Sequence, residues 1–172
     1  MLRVVIAIAP LLISCISERT PEEGFLERNS ELDDEIVEVV ADYRAFDQVS
    51  VTPYGSELGA YDIAVYSTFA TPLYRMIHPE EPGSKIRMPP GSIIVREVLD
   101  ARGEVAKLTI MAKGPPGFDP RLGDWWFGVT DPRGEPLVVD GVVQLGRMTE
   151  CHACHLPRIT DDYLFGVPTQ GR

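Results

Sequence analysis

The chain is poor in the residues that would define several common protein classes. It has three cysteines in 172 residues, which excludes a small disulfide-dense scaffold. Lysine stands only at Lys85, Lys107 and Lys113, and histidine only at His78, His152 and His155. Lys plus Arg number 16 against 26 Asp plus Glu, a net charge of −10. A chain so short of cations is not built to bind nucleic acid, because phosphate neutralisation needs clustered Lys and Arg. No apolar run approaches the roughly 20 residues of a membrane-spanning helix. Glycine and proline, 15 each, follow no repeat, which excludes a collagen-like or low-complexity chain. What remains is 44% apolar, enough for one packed domain.

The acidity is local. Between Ile16 and Asp47 there are 11 acidic and 3 basic residues, a net of −8; from Gln48 to Arg172 there are 15 and 12, a net of −3; Arg3 restores the total of −10. The first fifteen residues, MLRVVIAIAPLLISC, join a positive Arg3 to the apolar run Val4 to Ile13. This pattern fits a secretory signal. Leu12-Ile13-Ser14-Cys15 is similar to a bacterial lipobox, so Cys15 is expected to carry the acyl anchor on the periplasmic side of a membrane. A plain signal peptide is the simpler alternative. Residues 16–30 then read as an acidic, solvated tether, and residues 31–172 as the folded domain.

Ser30 opens an expected helix with a near capping box, Ser30-Glu31-Leu32-Asp33. Leu32, Ile36, Val39, Val40 and Tyr43 recur at helical spacing up to about Phe46. Asp33, Asp34 and Glu35 are placed in the first turn, where the helix dipole favours them, on a solvated face. Strands are expected over Asp62 to Phe69, Ser92 to Leu99, Glu104 to Lys113 and Asp124 to Thr130, with a shorter one within Pro136 to Val143. The turns Asp100 to Gly103 and Asp131 to Gly134 are too short for crossover helices. The fold class is therefore α+β: an antiparallel sheet of about five strands, an N-terminal helix and a short C-terminal helical segment. Alternation sends Trp125 and Phe127 to one face and Trp126 to the other. Lys107 and Lys113 share a face and are read as exposed, solubilising lysines. Tyr66, Phe69, Trp125, Trp126 and Phe127 are the aromatics available to wall a pocket.

Cys151-His152-Ala153-Cys154-His155 is a CxxCH sequence. Two thiols three residues apart can add to the two vinyl groups of a haem, and the adjacent His155 can then supply an axial imidazole to iron. Such attachment occurs outside the cytoplasm, in agreement with the signal. One haem c is thus the expected cofactor, on Cys151, Cys154 and His155, with His152 an exposed bystander. A redox CxxC pair, a zinc site and a structural disulfide are the alternatives, giving an interaction module instead of a haem protein. The redox pair lacks its βαβ context, zinc lacks a second ligand pair, and so short a disulfide loop stabilises little. Downstream of His155 stands no Met, His, Lys or Cys. A sixth iron ligand would come from Met76, His78, Met88, Met111, Lys113 or Met148. The expected state is an open or weakly occupied distal position, which favours binding of small ligands.

Residues 39–165 resemble the cytochrome P-460 family, which includes the cytochromes c′-beta. Pro90 to Glu97 resembles the family's Pro-x-Gly-x-x-x-Val-Lys-Glu stretch, and Ile110-Met111-Ala112-Lys113 its Val-Met-x-Lys strand. Asp119-Pro120 through Gly123-Asp124-Trp125, with Asp131 and Gly134, is similar to its Gly-Asp-Trp strand and following turn. Cys151 to His155 with Asp162-Tyr163-Leu164-Phe165 is similar to its haem motif and tail. The resemblance implies a homodimer with a five-coordinate haem on the sheet. It implies either binding of nitric oxide, with electron transfer to an unidentified partner, or oxidation of hydroxylamine by enzymes that carry a lysine–porphyrin bond. Here position 96 is Arg, which is always protonated and a poor nucleophile. Arg96 reads either as a surface ion pair or as a donor to a haem-bound ligand. Arg96, Lys113 and Phe69 are the distal-pocket residues the resemblance suggests.

Overall fold

The computed structural model describes residues 30–55, 62–168 and 171. The expected signal, the expected lipidation site Cys15 and nearly all of the expected tether lie outside the described residues. The elements in chain order begin with α1 (Ser30–Val40) and two short strands, β1 (Asp47–Gln48) and β2 (Tyr54–Gly55). They continue with β3 (Asp62–Ser67), α2 (Thr71–Arg75), β4 (Ile93–Leu99), β5 (Val105–Lys113) and β6 (Trp125–Thr130). Next come β7 (Val138–Val139), β8 (Val142–Val143), β9 (Leu145–Gly146) and α3 (Thr149–His155), and a 3-10 helix follows over Leu156–Asp161.

The sheet is antiparallel in the order β1-β3-β4-β5-β6-β9, with β2 also pairing β3. It holds seven strands where about five were expected. The four long ones, β3 to β6, form the anticipated meander. The extra strands are two residues long, too short to show any alternation in sequence. The two connecting turns are built alike. Asp100 Oδ1 accepts the amides of Arg102 and Glu104, and Asp131 Oδ1 accepts those of Arg133 and Glu135. Each turn closes on a glycine in the left-handed region, Gly103 (φ 78°) and Gly134 (φ 91°), which costs glycine nothing. The expected single strand within Pro136 to Val143 is a hairpin instead, β7 paired with β8. Asp140 and Gly141, both at positive φ, make the Asp-Gly turn that such hairpins favour.

The sheet buries both faces. On one, α1 packs Ile36 and Val40 against Ile93, Val95, Leu108, Ile110 and Trp126. On the other, Ile63, Val65, Ile94, Met111, Trp125 and Phe127 pack with Tyr74, Met88, Met148, Leu164 and the partly buried Cys151. Trp125 and Phe127 thus oppose Trp126, as period-2 alternation requires. Helix α1 stops at Val40, earlier than Phe46, and a 3-10 turn over Tyr43–Ala45 follows. Tyr43 there donates its hydroxyl to buried Glu97 of β4, and Arg44 adds a 3.0 Å bond to the same carboxylate. Asp33 is not on a solvated face. It is 2% exposed and accepts the indole N–H of Trp126 at 2.7 Å, which ties the first turn of α1 to the sheet.

Candidate functional site

The CxxCH sequence lies within α3 and runs into the 3-10 helix. Helical spacing puts Cys151 and Cys154, three apart, on one side, with His155 a turn beyond Cys151. Both cysteines are free thiols, Cys151 half-buried and Cys154 exposed. Cys151 packs against the Met111–Phe127 face of the sheet. Burial, with Glu150 and Cys154 adding to it and Lys107 opposing, pushes its thiol up to about 11. At neutral pH it is therefore protonated. Low-pKa thiols are what CxxC redox switches need.

His155 is held from three sides. Its ring stands 5.8 Å from that of Phe127 and 5.2 Å, edge-on, from that of Phe165. Its Nδ1 lies 2.6 Å from the carbonyl oxygen of Tyr163. A carbonyl only accepts, so Nδ1 carries the proton and Nε2 keeps its lone pair. Burial pushes the imidazole down to about 4; the Tyr163 carbonyl opposes this, and the Arg96 guanidinium adds to it. Neutral imidazole with a carbonyl-anchored Nδ1–H is the usual state of a metal-ligating histidine.

The Tyr163 carbonyl is itself held by an unusual piece of backbone. Asp162 (φ 56°) and Tyr163 (φ 66°) are consecutive non-glycine residues in the left-handed region, a conformation costing about 1–2 kcal/mol each. Tertiary bonds hold them there. The Asp162 carboxylate receives Lys113 Nζ at 2.7 and 2.8 Å and the Met88 amide at 2.8 Å. The Asp162 carbonyl receives the Trp125 indole N–H at 2.8 Å. Beside it, Asp161 accepts from Gly83 N, Ser84 N and Ser84 Oγ, and buried Arg158 binds the carbonyls of Leu164, Pro79 and His78. The tail is thus stitched to the loop that precedes β4.

The residues suggested for a distal pocket fall in three different places. Arg96 lies on the Met111–Phe127 face of the sheet, opposite Val65 and Thr109, partly buried. Among the described residues no carboxylate pairs with it, and Glu97 is engaged on the other face by Tyr43 and Arg44. Lys113 shares the Arg96 face but is no solubilising lysine. Its side chain is 11% exposed, it also donates to the Gly123 carbonyl at 2.7 Å, and it lies over the Trp125 ring. Phe69 is 65% exposed, beyond the end of β3. Among the other candidates, Met88, Met111 and Met148 belong to the Cys151 cluster, whereas Met76 and His78 are exposed. Tyr66 and Trp126 pack on the α1 side. His152 is not an exposed bystander. It is half-buried, its ring is 5.3 Å from that of Tyr163, and its buried Nε2 has no hydrogen-bond partner.

Two more buried polar atoms without partners, Arg96 Nε and Ser67 Oγ, lie on this same face of the sheet. Native interiors satisfy nearly all such groups; these two share the sheet face that carries Cys151, whereas a third, Arg147 Nε, lies elsewhere, by Asp119. The residues present have the chemistry a haem would need: thiols for its vinyls, a free Nε2 for its iron, apolar side chains for its ring and a cation for its carboxylates. Among the described residues, no group of three or more His, Cys, Asp or Glu is placed to hold a metal ion. Sequence reasoning missed Asp162, Trp125 and Tyr163 as the supports of His155, because nothing local marks a backbone carbonyl as a partner. No protein-family model matches the chain, and no curated protein matches it.

Proposed function

We propose that the chain is an exported monohaem c-type cytochrome, tethered through Cys15, which binds small ligands of the nitric oxide type and passes electrons. Cys151 and Cys154 would hold one haem covalently, and His155 would be its axial ligand. The observation that carries this reading is the 2.6 Å contact from His155 Nδ1 to the Tyr163 carbonyl. It leaves a neutral Nε2 beside two free thiols on one helix. When bound, the haem supplies a redox-active iron and a position for a diatomic ligand. The protein's own work is then positional. The Asp162–Lys113 pair holds the tail, the tail holds the Tyr163 carbonyl, and the carbonyl fixes the tautomer and plane of His155. Phe127, Met111 and Trp125 provide an apolar wall that keeps water from the sheet side.

Hydroxylamine oxidation through a lysine–porphyrin bond finds less support. Position 96 is Arg, and the Lys113 amine is taken by Asp162 and Gly123. Lys107, exposed on the same strand face, and Lys85, exposed in the loop before β4, are the lysines left for such a bond. The redox-switch reading conflicts with the raised Cys151 thiol.

Protein purified from a host with c-type maturation should give a c-type pyridine haemochrome, and nitric oxide should change its reduced Soret band. The Cys151→Ala/Cys154→Ala variant should carry no covalent haem; covalent haem in that variant would overturn the assignment. A red-shifted ferrous Soret band abolished by Lys107→Met or Lys85→Met would establish the hydroxylamine-type chromophore instead.

A further inference from the structure

Arg96 occupies the middle of β4, with its side chain on the face that carries Met111, Phe127 and Cys151. Its Nε is shielded from solvent and has no hydrogen-bond partner among the described residues. No carboxylate among the described residues pairs with it. The adjacent acid, Glu97, points to the opposite face, where Tyr43 and Arg44 engage it. A partly buried guanidinium in an apolar wall is costly unless an anion completes it. Two neighbours bring hydroxyl groups to it. Ser67 is fully buried, its Oγ is unpartnered, and it is diagonal to Arg96, since Val65 is opposite Arg96 and Ser67 opposite Ile94. The buried Tyr54 hydroxyl oxygen accepts from the Arg96 guanidinium, whose hydrogen bond and charge oppose the larger upward effect of burial on the Tyr54 pKa; its own proton stays available to a third group.

We propose that Arg96, flanked by Ser67 and Tyr54, is an oxyanion-binding site that takes a carboxylate-type group on the haem face of the sheet. Two sources share that chemistry: a propionate of the haem, which rests on the haem reading above, and a free small oxyanion such as nitrite, which does not. Arginine suits either, because its planar fork pairs with two oxygens at once.

The test uses the full chain as purified, with Arg96→Met, which keeps much of the stem, and Arg96→Lys, which keeps the charge and loses the fork. Thermal midpoints are measured with sodium nitrite against sodium chloride at equal ionic strength, together with the haem reduction potential. If a propionate fills the site, Arg96→Met lowers the midpoint of the haem-loaded protein by roughly 5 °C and shifts the potential, and nitrite changes neither. If a free oxyanion fills it, nitrite raises the wild-type midpoint progressively, and Arg96→Met needs at least tenfold more nitrite for the same rise. Either result supports the site. Unchanged or raised stability in Arg96→Met, with an unchanged potential and a nitrite response equal to wild type, overturns it. Should Arg96→Met not fold, the same comparisons on Arg96→Lys decide. Absence of a haemochrome in the wild type would sink the haem reading alone, and the nitrite comparison would still decide this one.

Discussion

Breaking the Lys113–Asp162 pair should be among the most damaging polar changes available in this domain. The ammonium is 11% and the carboxylate 3% exposed, at 2.7 Å, so water screens the pair little. Lys113→Met would leave a buried carboxylate facing only the Met88 amide. Asp162→Asn would leave a buried ammonium without its counter-charge, facing only neutral acceptors, the Asn oxygen and the Gly123 carbonyl. Removing one member of such a pair costs about 3–5 kcal/mol, because the survivor is charged and dry. For a domain of this size that is a fall of roughly 10 °C in thermal midpoint. The double variant should lose less than the sum, with a coupling of about 2 kcal/mol or more. The assay is thermal and urea unfolding followed by circular dichroism on wild type, both single variants and the double. Single variants within about 1 kcal/mol of wild type, or effects that simply add, would refute the claim that this pair fastens the tail. In haem-loaded protein the same variants should also disturb the axial ligation, since the Asp162–Tyr163 backbone carries the carbonyl that orients His155.

Gly123 sits at φ 63°, and an added Cβ would lie 2.3 Å from the Tyr163 ring. Gly123→Ala should therefore cost about 2–4 kcal/mol, from left-handed backbone strain plus overpacking, seen as an earlier urea midpoint at unchanged slope. Burial would raise the Asp161 pKa, but hydrogen bonds from Ser84 and Gly83 and the charge of Arg158 outweigh it and hold the carboxyl below its usual value. A depressed carboxylate contributes stability above its unfolded pKa of about 3.9, and that contribution is lost as pH falls through the lower folded value. Asp161→Asn should thus lower stability at neutral pH and flatten its acid limb; an equally steep acid limb in the variant would count against this.

Much of the frame was legible because it is encoded locally. The runs Asp62 to Ser67 and Ile93 to Leu99 are β-branched and sit beside strong breaks such as Pro89-Pro90-Gly91. The twin Asp-x-x-Gly turns state their own geometry. The Trp125-Trp126-Phe127 alternation assigns faces without any partner being known. The short strands were not legible, because two residues carry no period. The end of α1 was misplaced because Tyr43 satisfies both the helical pattern and a hydrogen bond to Glu97, 54 residues away. The Asp140-Gly141 hairpin signal was present and went unread.

By itself, the sequence determined the meander, the position of the CxxCH motif on a helical segment and the two-sided character of β6. Each follows from neighbours within a few residues, where propensity and spacing act. The tertiary structure alone decided that Lys113 is a fastening and not a surface charge, that Asp33 holds an indole and that Arg96 faces an apolar wall without a carboxylate. It also decided that a strained backbone carbonyl at Tyr163 fixes the tautomer of His155. These outcomes depend on which charges end up dry and which partners arrive from 37 to 93 residues away, and a burial cost becomes visible only once the sheet has closed over the group.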